Sequence, residues 1–391
     1  MIAMKLAYRN LVGAGLRTWL NVFILSLSFV IVIYLQGLVD GWKRQAFRDT
    51  MAWEIGGGQY WHEAYDPYDP FTLDDSHGPV PVGLYQSVRE GKATPILMAQ
   101  ATIYPEGRMQ SILLKGIDPR QSILRIPSRV LEAEMDEIPA VIGTRMARGT
   151  QLNVGDVVTV RWRDKDGTFD AAEAKIVQIM KTTVASVDQG QLWIPLKRLQ
   201  NMLYTPDHAT IFVLDKNADA FLPVAGWPFQ NPDLLLKPII DLVRTRNVAA
   251  SVLYFLLLCL ALVAIFDTQV ISIFRRQKEI GTHMALGMTR SQVVRLFTIE
   301  GAMHGILAAL LAAVYGVPLL TLGAMKGLAL PQAADNFGVA IADKIFPAYS
   351  IGLVVGTTLF IMTAVTIVSF APTRRITRMK PTDAIRGKIN Y

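Results

Sequence analysis

The chain has 391 residues, of which 51% are hydrophobic and only 18% are charged, and its mean hydropathy is positive. This composition excludes most classes of soluble enzyme and favours a membrane protein. The net charge of +7 does not indicate a nucleic-acid partner, because most of the basic residues outside a mildly acidic segment, 40–246, lie beside apolar runs, where a cytoplasmic lipid surface attracts them.

Four apolar runs, at 19–39, 247–266, 301–325 and 345–373, dominate the sequence. Each has about 20 residues or more, which is the length that an α-helix needs to cross roughly 30 Å of hydrocarbon. We therefore predict four transmembrane helices. The first is predicted to be an uncleaved anchor, because no small-x-small cleavage site follows it.

The basic residues predict the orientation of these spans. Fourteen of them belong to one side, namely Lys5, Arg9, Arg17, Arg275, Arg276, Lys278, Arg290, Arg295, Arg374, Arg375, Arg378, Lys380, Arg386 and Lys388. The loop between the third and fourth spans has only Lys326 and Lys344. Both termini and the segment between the second and third spans are therefore expected in the cytosol.

These patterns divide the chain into nine predicted segments. They are a cytosolic amphipathic helix at 1–18, span 1 at 19–39, an outer domain at 40–246, span 2 at 247–273, a cytosolic helical region at 274–297, span 3 at 298–325, an outer loop at 326–344, span 4 at 345–373 and a cytosolic tail at 374–391.

The outer domain is predicted to be mixed α/β. Runs of strand length that are rich in β-branched residues are ATPILMAQATIY, QSILLKGI, VVTVRWR, AAEAKIVQIM, QLWIPL and ATIFVL. The runs GTRMARGTQLNV and LKRLQNML are typical of short helices. Residues 228–246 favour a helix that continues into span 2; the alternative is a loop followed by an interfacial helix.

The first part of the outer domain, residues 56–81, is rich in Gly, Pro, Asp and aromatic residues and is predicted to be irregular. Two interpretations of this stretch compete. The favoured one places Tyr60, Trp61, Tyr65 and Tyr68 near the membrane interface. The other is a metal site formed by His62, Glu63, Asp74, Asp75 and His77, which lack a fixed ligand spacing.

The cytosolic region contains RRQKEIGTHMALGMTRSQVVRLF, residues 275–297. We expect the helix of span 2 to continue to Gly281, with Gly281 and Gly287 on either side of a sharp reversal. Thr289 and Gln292 have the spacing of a capping box, which starts the next helix. The region is therefore predicted to be a compact helix-turn-helix.

Polar residues and glycines near the span ends predict contacts between the membrane helices. Asp267 and Glu300 are expected to form structural pairs, and His304 is expected to bond a neighbouring helix. Gly301 and Gly305 form a G-x-x-x-G pattern that allows another helix to approach closely.

The sequence contains no G-x-x-x-x-G-K-[ST] phosphate loop, so we expect no cofactor in this chain and ATP and Mg to be bound by a partner. The segment RRQKEIGTHMALG is similar to the R-x-x-E-I-G-x-x-x-A-L-G pattern of the MacB/FtsX/lipoprotein-releasing (LolC/LolE-like) superfamily of ABC transporter permeases. MKLAYRNLVGAGLRTWL, VIGTRMARGTQLNVGDVVTV and APTRRITRMKPTDAIRG resemble other segments of the same superfamily.

The resemblance implies a permease subunit without catalysis in this chain, in a bacterial inner membrane, with the large domain in the periplasm. Its expected partners are a cytosolic ABC ATPase dimer, a second permease subunit, a lipid-anchored protein or other amphipathic substrate, and a periplasmic chaperone or adaptor. The alternatives are an FtsX-like transducer that controls a cell-wall hydrolase and a MacB-type efflux permease.

The resemblance also implies two sets of site residues. The ATPase-coupling set is Arg276, Lys278, Glu279, Ile280, Gly281, Met284, Ala285, Leu286 and Gly287. The set that could line a lipid-substrate site is Phe23, Ile24, Leu27, Val30, Ile31, Leu256 and Leu260, although the same residues could face bulk lipid.

Overall fold

A computed structural model describes residues 16–216, 223–329 and 344–374. Most of the predicted N-terminal helix, outer loop and C-terminal tail lies outside these residues. The chain forms two compact units. Of the described residues, the membrane unit comprises 16–42, 243–329 and 345–374, and the outer unit comprises 43–216, 223–242 and Lys344.

The helices, in chain order, are α1 (Leu16–Thr50), α2 (Val82–Arg89), α3 (Thr144–Thr150), α4 (Ala185–Asp188), α5 (Leu196–Met202), α6 (Pro232–Leu235), α7 (Lys237–Arg275), α8 (Gln277–Ala285), α9 (Arg290–Lys326) and α10 (Ile351–Thr373). The strands are β1 (Gln59–Trp61), β2 (Gly78–Pro79), β3 (Ala93–Ile103), β4 (Gln110–Ile117), β5 (Ile138–Gly143), β6 (Val157–Arg163), β7 (Phe169–Met180), β8 (Gln191–Pro195), β9 (His208–Ala209), β10 (Ile211–Leu214), β11 (Phe229–Gln230), β12 (Leu328–Ala329) and β13 (Lys344–Ile345).

Four helices, α1, α7, α9 and α10, are long and apolar enough to cross a membrane. This confirms the predicted class of four membrane helices with an α/β domain between the first and second. Three helices extend beyond the predicted spans. The helix that leads into span 2 begins at Lys237 and not at residue 228, because Phe229–Gln230 forms β11 and Pro232–Leu235 forms the separate helix α6. The fourth starts at Ile351 rather than 345, because Lys344–Ile345 forms a strand and the Ser350 side chain caps α10.

The four spans share one apolar core. Its buried members are Val22, Leu25, Phe29, Val30, Leu258, Ala261, Ile265, Ala308, Ala312, Ile361 and Val365. Polar side chains also join the helices, since the Ser26 and Tyr315 hydroxyls lie 3.1 Å apart and Asn21 donates to Thr268. Because these bonds form between helices, they fix the rotation of each span toward its neighbours.

The predicted G-x-x-x-G pattern packs α9 on α10. A side chain at Gly301 would collide with Ser369 of α10, and one at Gly305 would press on Met362. The contact at Gly301 requires a residue without a Cβ atom, which confirms the predicted close approach, whereas the flexible Met362 side chain could shift away from a Cβ atom at position 305.

The outer unit contains a nine-stranded sheet in the order β11-β1-β10-β3-β4-β8-β5-β7-β6. Because β6 pairs with β3 as well as β7, the strands β3, β4, β8, β5, β7 and β6 close on themselves. The largest apolar cluster lies inside this ring, and α3 and α5 pack against it. Along β6, Val158, Val160 and Trp162 are buried and alternate with exposed residues, as a strand with one core-facing side requires.

All six predicted strand runs and both predicted short helices are present in the outer unit. Strand β5 was not predicted, because its six residues are all buried and therefore show no alternation. Strand β1 was not predicted either; in it Tyr60 is buried against Phe229, with the ring centroids 5.2 Å apart. The predicted place of Tyr60 at the membrane interface is therefore wrong, whereas Tyr68 is exposed.

The metal alternative for residues 56–81 is not supported. No group of three or more His, Cys, Asp or Glu side chains that could hold a metal ion occurs in residues 16–216, 223–329 and 344–374. Instead, His77 Nδ1 lies 2.9 Å from His208 Nδ1, and the His62 ring packs edge-on against Trp227.

Candidate functional site

A short helix and a turn, residues 276–289, connect two membrane helices; we call them the α8 element. Arg276 separates α7 from α8 with backbone angles of φ −99° and ψ 17°. The chain reverses at Gly287, whose φ of +97° lies in the region that favours glycine. Gly281, in contrast, is buried within α8, so its predicted role in the reversal is wrong.

The predicted capping box is present at the start of α9. The Gln292 backbone N–H donates to Thr289 Oγ1 (3.3 Å), and the Thr289 N–H donates to Gln292 Oε1 (2.8 Å). Two of the unsatisfied N–H groups at this helix end are thereby paired. The capping box and the glycine turn confirm a compact helix-turn-helix.

The α8 element has an apolar core of its own. Its buried members are Ile273, Ile280, Val293, Val294 and Phe297, with Met284 and Met288 packed against them. Ile280 has an exposed fraction of 0%. Ile280 therefore supports the α8 element from inside and does not lie on a surface that a partner could contact, which corrects its predicted place there.

Charged groups hold the start of α8 in place. Arg276 Nη1 donates to both carboxylate oxygens of Glu300, at 2.9 and 2.8 Å, and Arg276 Nε donates to Glu279 at 2.7 Å. The guanidinium also lies 4.9 Å from the centroid of the Phe297 ring. The predicted structural pairing of Glu300 is confirmed. His304 bonds the Glu300 carbonyl of its own helix, so its predicted bond to a neighbouring helix is wrong.

The predicted coupling residues thus separate into two groups. Ile280 and Gly281 are buried, and Arg276 and Met284 are partly buried, so these four mainly form the interior of the α8 element. The exposed members are Lys278, Glu279, Ala285, Leu286 and Gly287. Leu286 is 78% exposed at the tip of the turn. A large apolar side chain exposed at a turn is typical of a contact with another protein.

The predicted lipid-substrate residues also separate by burial. Val30 lies in the core of the four spans, so it cannot line a substrate surface in this arrangement. Ile24 and Ile31 are partly buried. Phe23 and Leu27 on α1, and Leu256 and Leu260 on α7, are exposed apolar side chains.

Residues 251–381 match the family model described as FtsX-like permease C-terminal. This segment is an FtsX-like permease domain. The permease domain includes α9, α10, the α8 element and most of the apolar part of α7.

Curated relatives support the same superfamily as the resemblance. The uncharacterized ABC transporter permease YclI of Bacillus subtilis is 25% identical over 244 residues, which cover 56% of this chain and 50% of YclI. The lipoprotein-releasing system transmembrane protein LolC of Xylella fastidiosa is 22% identical over 332 residues, covering 76% of this chain and 78% of LolC. The macrolide export ATP-binding/permease protein MacB of Acinetobacter baylyi is 28% identical over 156 residues, covering 40% of this chain and 21% of MacB.

The chain spans half the length of YclI, about four-fifths of LolC and about a fifth of MacB.

The contact between Arg276 and Glu300 was not predicted from the sequence, since the two residues are 24 positions apart. One signal could have found it: an ionisable residue close to an apolar run usually has a partner, and Arg276 is among the cations at the end of the preceding span.

Proposed function

We propose that this chain is the permease subunit of an ABC transporter, driven by a separate ATPase, that extracts or exports a lipid-anchored or amphipathic substrate outward. The observation that carries the proposal is the α8 element, which joins two spans of the permease domain and exposes Leu286 on a packed core. A loop that only connected two spans would not need a packed core, so the core of the α8 element favours a role in binding a partner protein.

The surface of the α8 element indicates the chemistry of the ATPase that would bind it. Lys278 is exposed on α8 and Arg290 at the start of α9, whereas the carboxylate of Glu279 already accepts a hydrogen bond from Arg276. The exposed charge is therefore mainly positive. We expect the ATPase to offer an apolar pocket for Leu286 with acidic side chains at its rim, and to hold ATP and Mg²⁺ itself.

The continuous helix α7 offers a way to pass a displacement from the α8 element into the membrane unit. Because α7 is unbroken from Lys237 to Arg275, a displacement at its Arg275 end is passed along the whole helix. Closure of an ATPase dimer would move the α8 element and, with it, both attached spans.

A lipid-anchored substrate is supported by two observations. Phe23, Leu27, Leu256 and Leu260 form exposed apolar surface on α1 and α7, and acyl chains require no polar partner. The similarity to LolC also covers 76% of this chain, compared with 40% for MacB of A. baylyi.

The test is reconstitution of the purified chain, with the ATPase that co-purifies, in vesicles containing a fluorescent triacylated lipoprotein. We expect ATP-dependent release. Leu286→Ala should weaken ATPase binding by about 2 kcal/mol, or roughly 30-fold, and reduce release accordingly, because it removes an exposed apolar anchor. The matched control is Thr282→Ala, an exposed residue of α8 whose hydroxyl bonds only its own helix.

Three results would contradict the proposal. Co-purification without an ABC ATPase would overturn it entirely. ATP hydrolysis without any lipoprotein release would remove the transport function and favour a signal transducer. Equal ATPase binding by the Leu286→Ala and Thr282→Ala variants would overturn the assigned docking surface.

A further inference from the structure

The α8 element is attached to the third span at both of its ends. At its C-terminal end the attachment is covalent and passes through the turn at Gly287, whose positive φ only glycine adopts readily. At its N-terminal end the attachment is the side chain of Arg276, which reaches Glu300 of α9. Without the Arg276 contact, only the link to α7 and the apolar core would hold this end of α8.

Burial and hydrogen-bond geometry both strengthen the ion pair between Arg276 and Glu300. The Glu300 side chain is 8% exposed and that of Arg276 is 20% exposed, so water screens their charges little. Arg276 gives two hydrogen bonds to one carboxylate, and its guanidinium lies over the Phe297 ring. Glu279, with a 60% exposed side chain, adds a weaker contact.

The apolar core of the α8 element lies between the two attachments. Ile280 of α8 packs with Val293 and Phe297 of α9. Closely packed side chains resist compression, so a force on α8 is passed to α9 only while the two helices stay together. Arg276 is the charged residue that holds them together at the end away from the turn.

We propose that Arg276 is a positioning residue that transmits displacement of α8 to the third span, by holding the start of α8 to Glu300. This inference rests on the proposed function, because it assumes an ATPase that moves α8. It assigns Arg276 to the inside of the coupling machinery and not to the surface that meets the ATPase.

The experiment uses the full chain with its co-purifying ATPase in nanodiscs, in a Cys259→Ala background, since Cys259 is the only cysteine. An environment-sensitive fluorophore is placed on α8 by Thr282→Cys, outside the assigned docking surface, or on α9 by Leu310→Cys; both positions are exposed. Trapping with ATP and vanadate is expected to change the fluorescence of both labels.

The decisive variant is Arg276→Gln/Glu300→Gln, which removes both charges and leaves no uncompensated buried ion. We expect the α8 label to respond as before and the α9 label to respond about tenfold less. Arg276→Lys, which keeps the charge but loses the paired geometry, should give an intermediate response. The control is Arg275→Gln, the exposed neighbour, whose responses should stay within about twofold of the parent.

A full response of the α9 label in the double variant would overturn the proposal. Loss of both responses would overturn it too, because Arg276 would then support the structure in general. If the parent complex shows no response to ATP, the proposed function fails, and spin labels at Thr282→Cys and Arg295→Cys, measured in the chain alone, then test the attachment of α8 to α9. A distance distribution that broadens in the double variant supports the attachment, and an unchanged width refutes it.

Discussion

His77 and His208 place two imidazole rings in contact in the outer unit, with their Nδ1 atoms 2.9 Å apart. One nitrogen must donate and the other accept, so at least one ring is neutral. Burial lowers the pKa of each ring below its ordinary value, and the nearness of His208 lowers the pKa of His77 further. This pair joins the segment of β2 to that of β9.

Acid should weaken this part of the outer unit. Because the folded-state pKa values are lowered, the pair stabilises the fold above the ordinary histidine pKa, and that contribution is lost as the pH falls below it toward the folded-state values. We expect faster amide hydrogen exchange at Gly78, His208 and Ala209 at about pH 5 than at about pH 7 after correction for intrinsic rates.

The His208→Asn variant should show a smaller pH effect on that exchange, since one titrating ring is removed. His283→Gln, a histidine of the α8 element, serves as the control and should leave the effect unchanged. A pH effect of equal size in His208→Asn and the parent would show that the histidine pair is not its source.

At the scale of elements, the spacing between α9 and α10 depends on the absence of a side chain at Gly301. Gly301→Ala would force the two helices apart, because the new Cβ would collide with Ser369. We expect a loss of about 1–3 kcal/mol of stability, measured as a lower midpoint of thermal unfolding in detergent.

The matched control is Gly356→Ala, because no atom lies within 4 Å of the position that its Cβ would occupy. This variant should be neutral or slightly stabilising, since alanine favours a helix more than glycine does. If both variants lower the midpoint equally, the effect comes from helix propensity or lipid contact and not from the packing of α9 on α10.

Elements with a strong local pattern could be predicted from the sequence, and those that depend on distant contacts could not. The capping box at Thr289 is a local pattern, and it was found. The burial of Ile280 was not, because a short helix with several apolar residues does not reveal which of them face its partner helix. Lys115 is similar: its strand was predicted, yet the side chain is buried over the Trp193 ring, and burial lowers the pKa of Lys115.

At the scale of the whole molecule, the distribution of Lys and Arg predicts that the α8 element faces the cytosol and the outer unit faces the other side. Membrane-impermeant maleimide tests this in a Cys259→Ala background. Val82→Cys, in the outer unit, should react in intact spheroplasts, whereas Lys278→Cys should react only in inverted vesicles. The two positions are suitable because both side chains are exposed. The opposite labelling pattern would reverse the orientation.

The closed ring of six strands also affects how copies of this chain behave when they are crowded in one membrane. An edge strand of a sheet offers unpaired N–H and C=O groups to any neighbouring strand, which is a route to aggregation. Here β6 is paired on both sides, and the open part of the sheet ends on β11, which has only two residues and is followed by Asn231 and Pro232. An edge strand as short as β11 offers few groups for pairing with another copy. Outer units that lie close together in one membrane are therefore expected to resist forming intermolecular sheets.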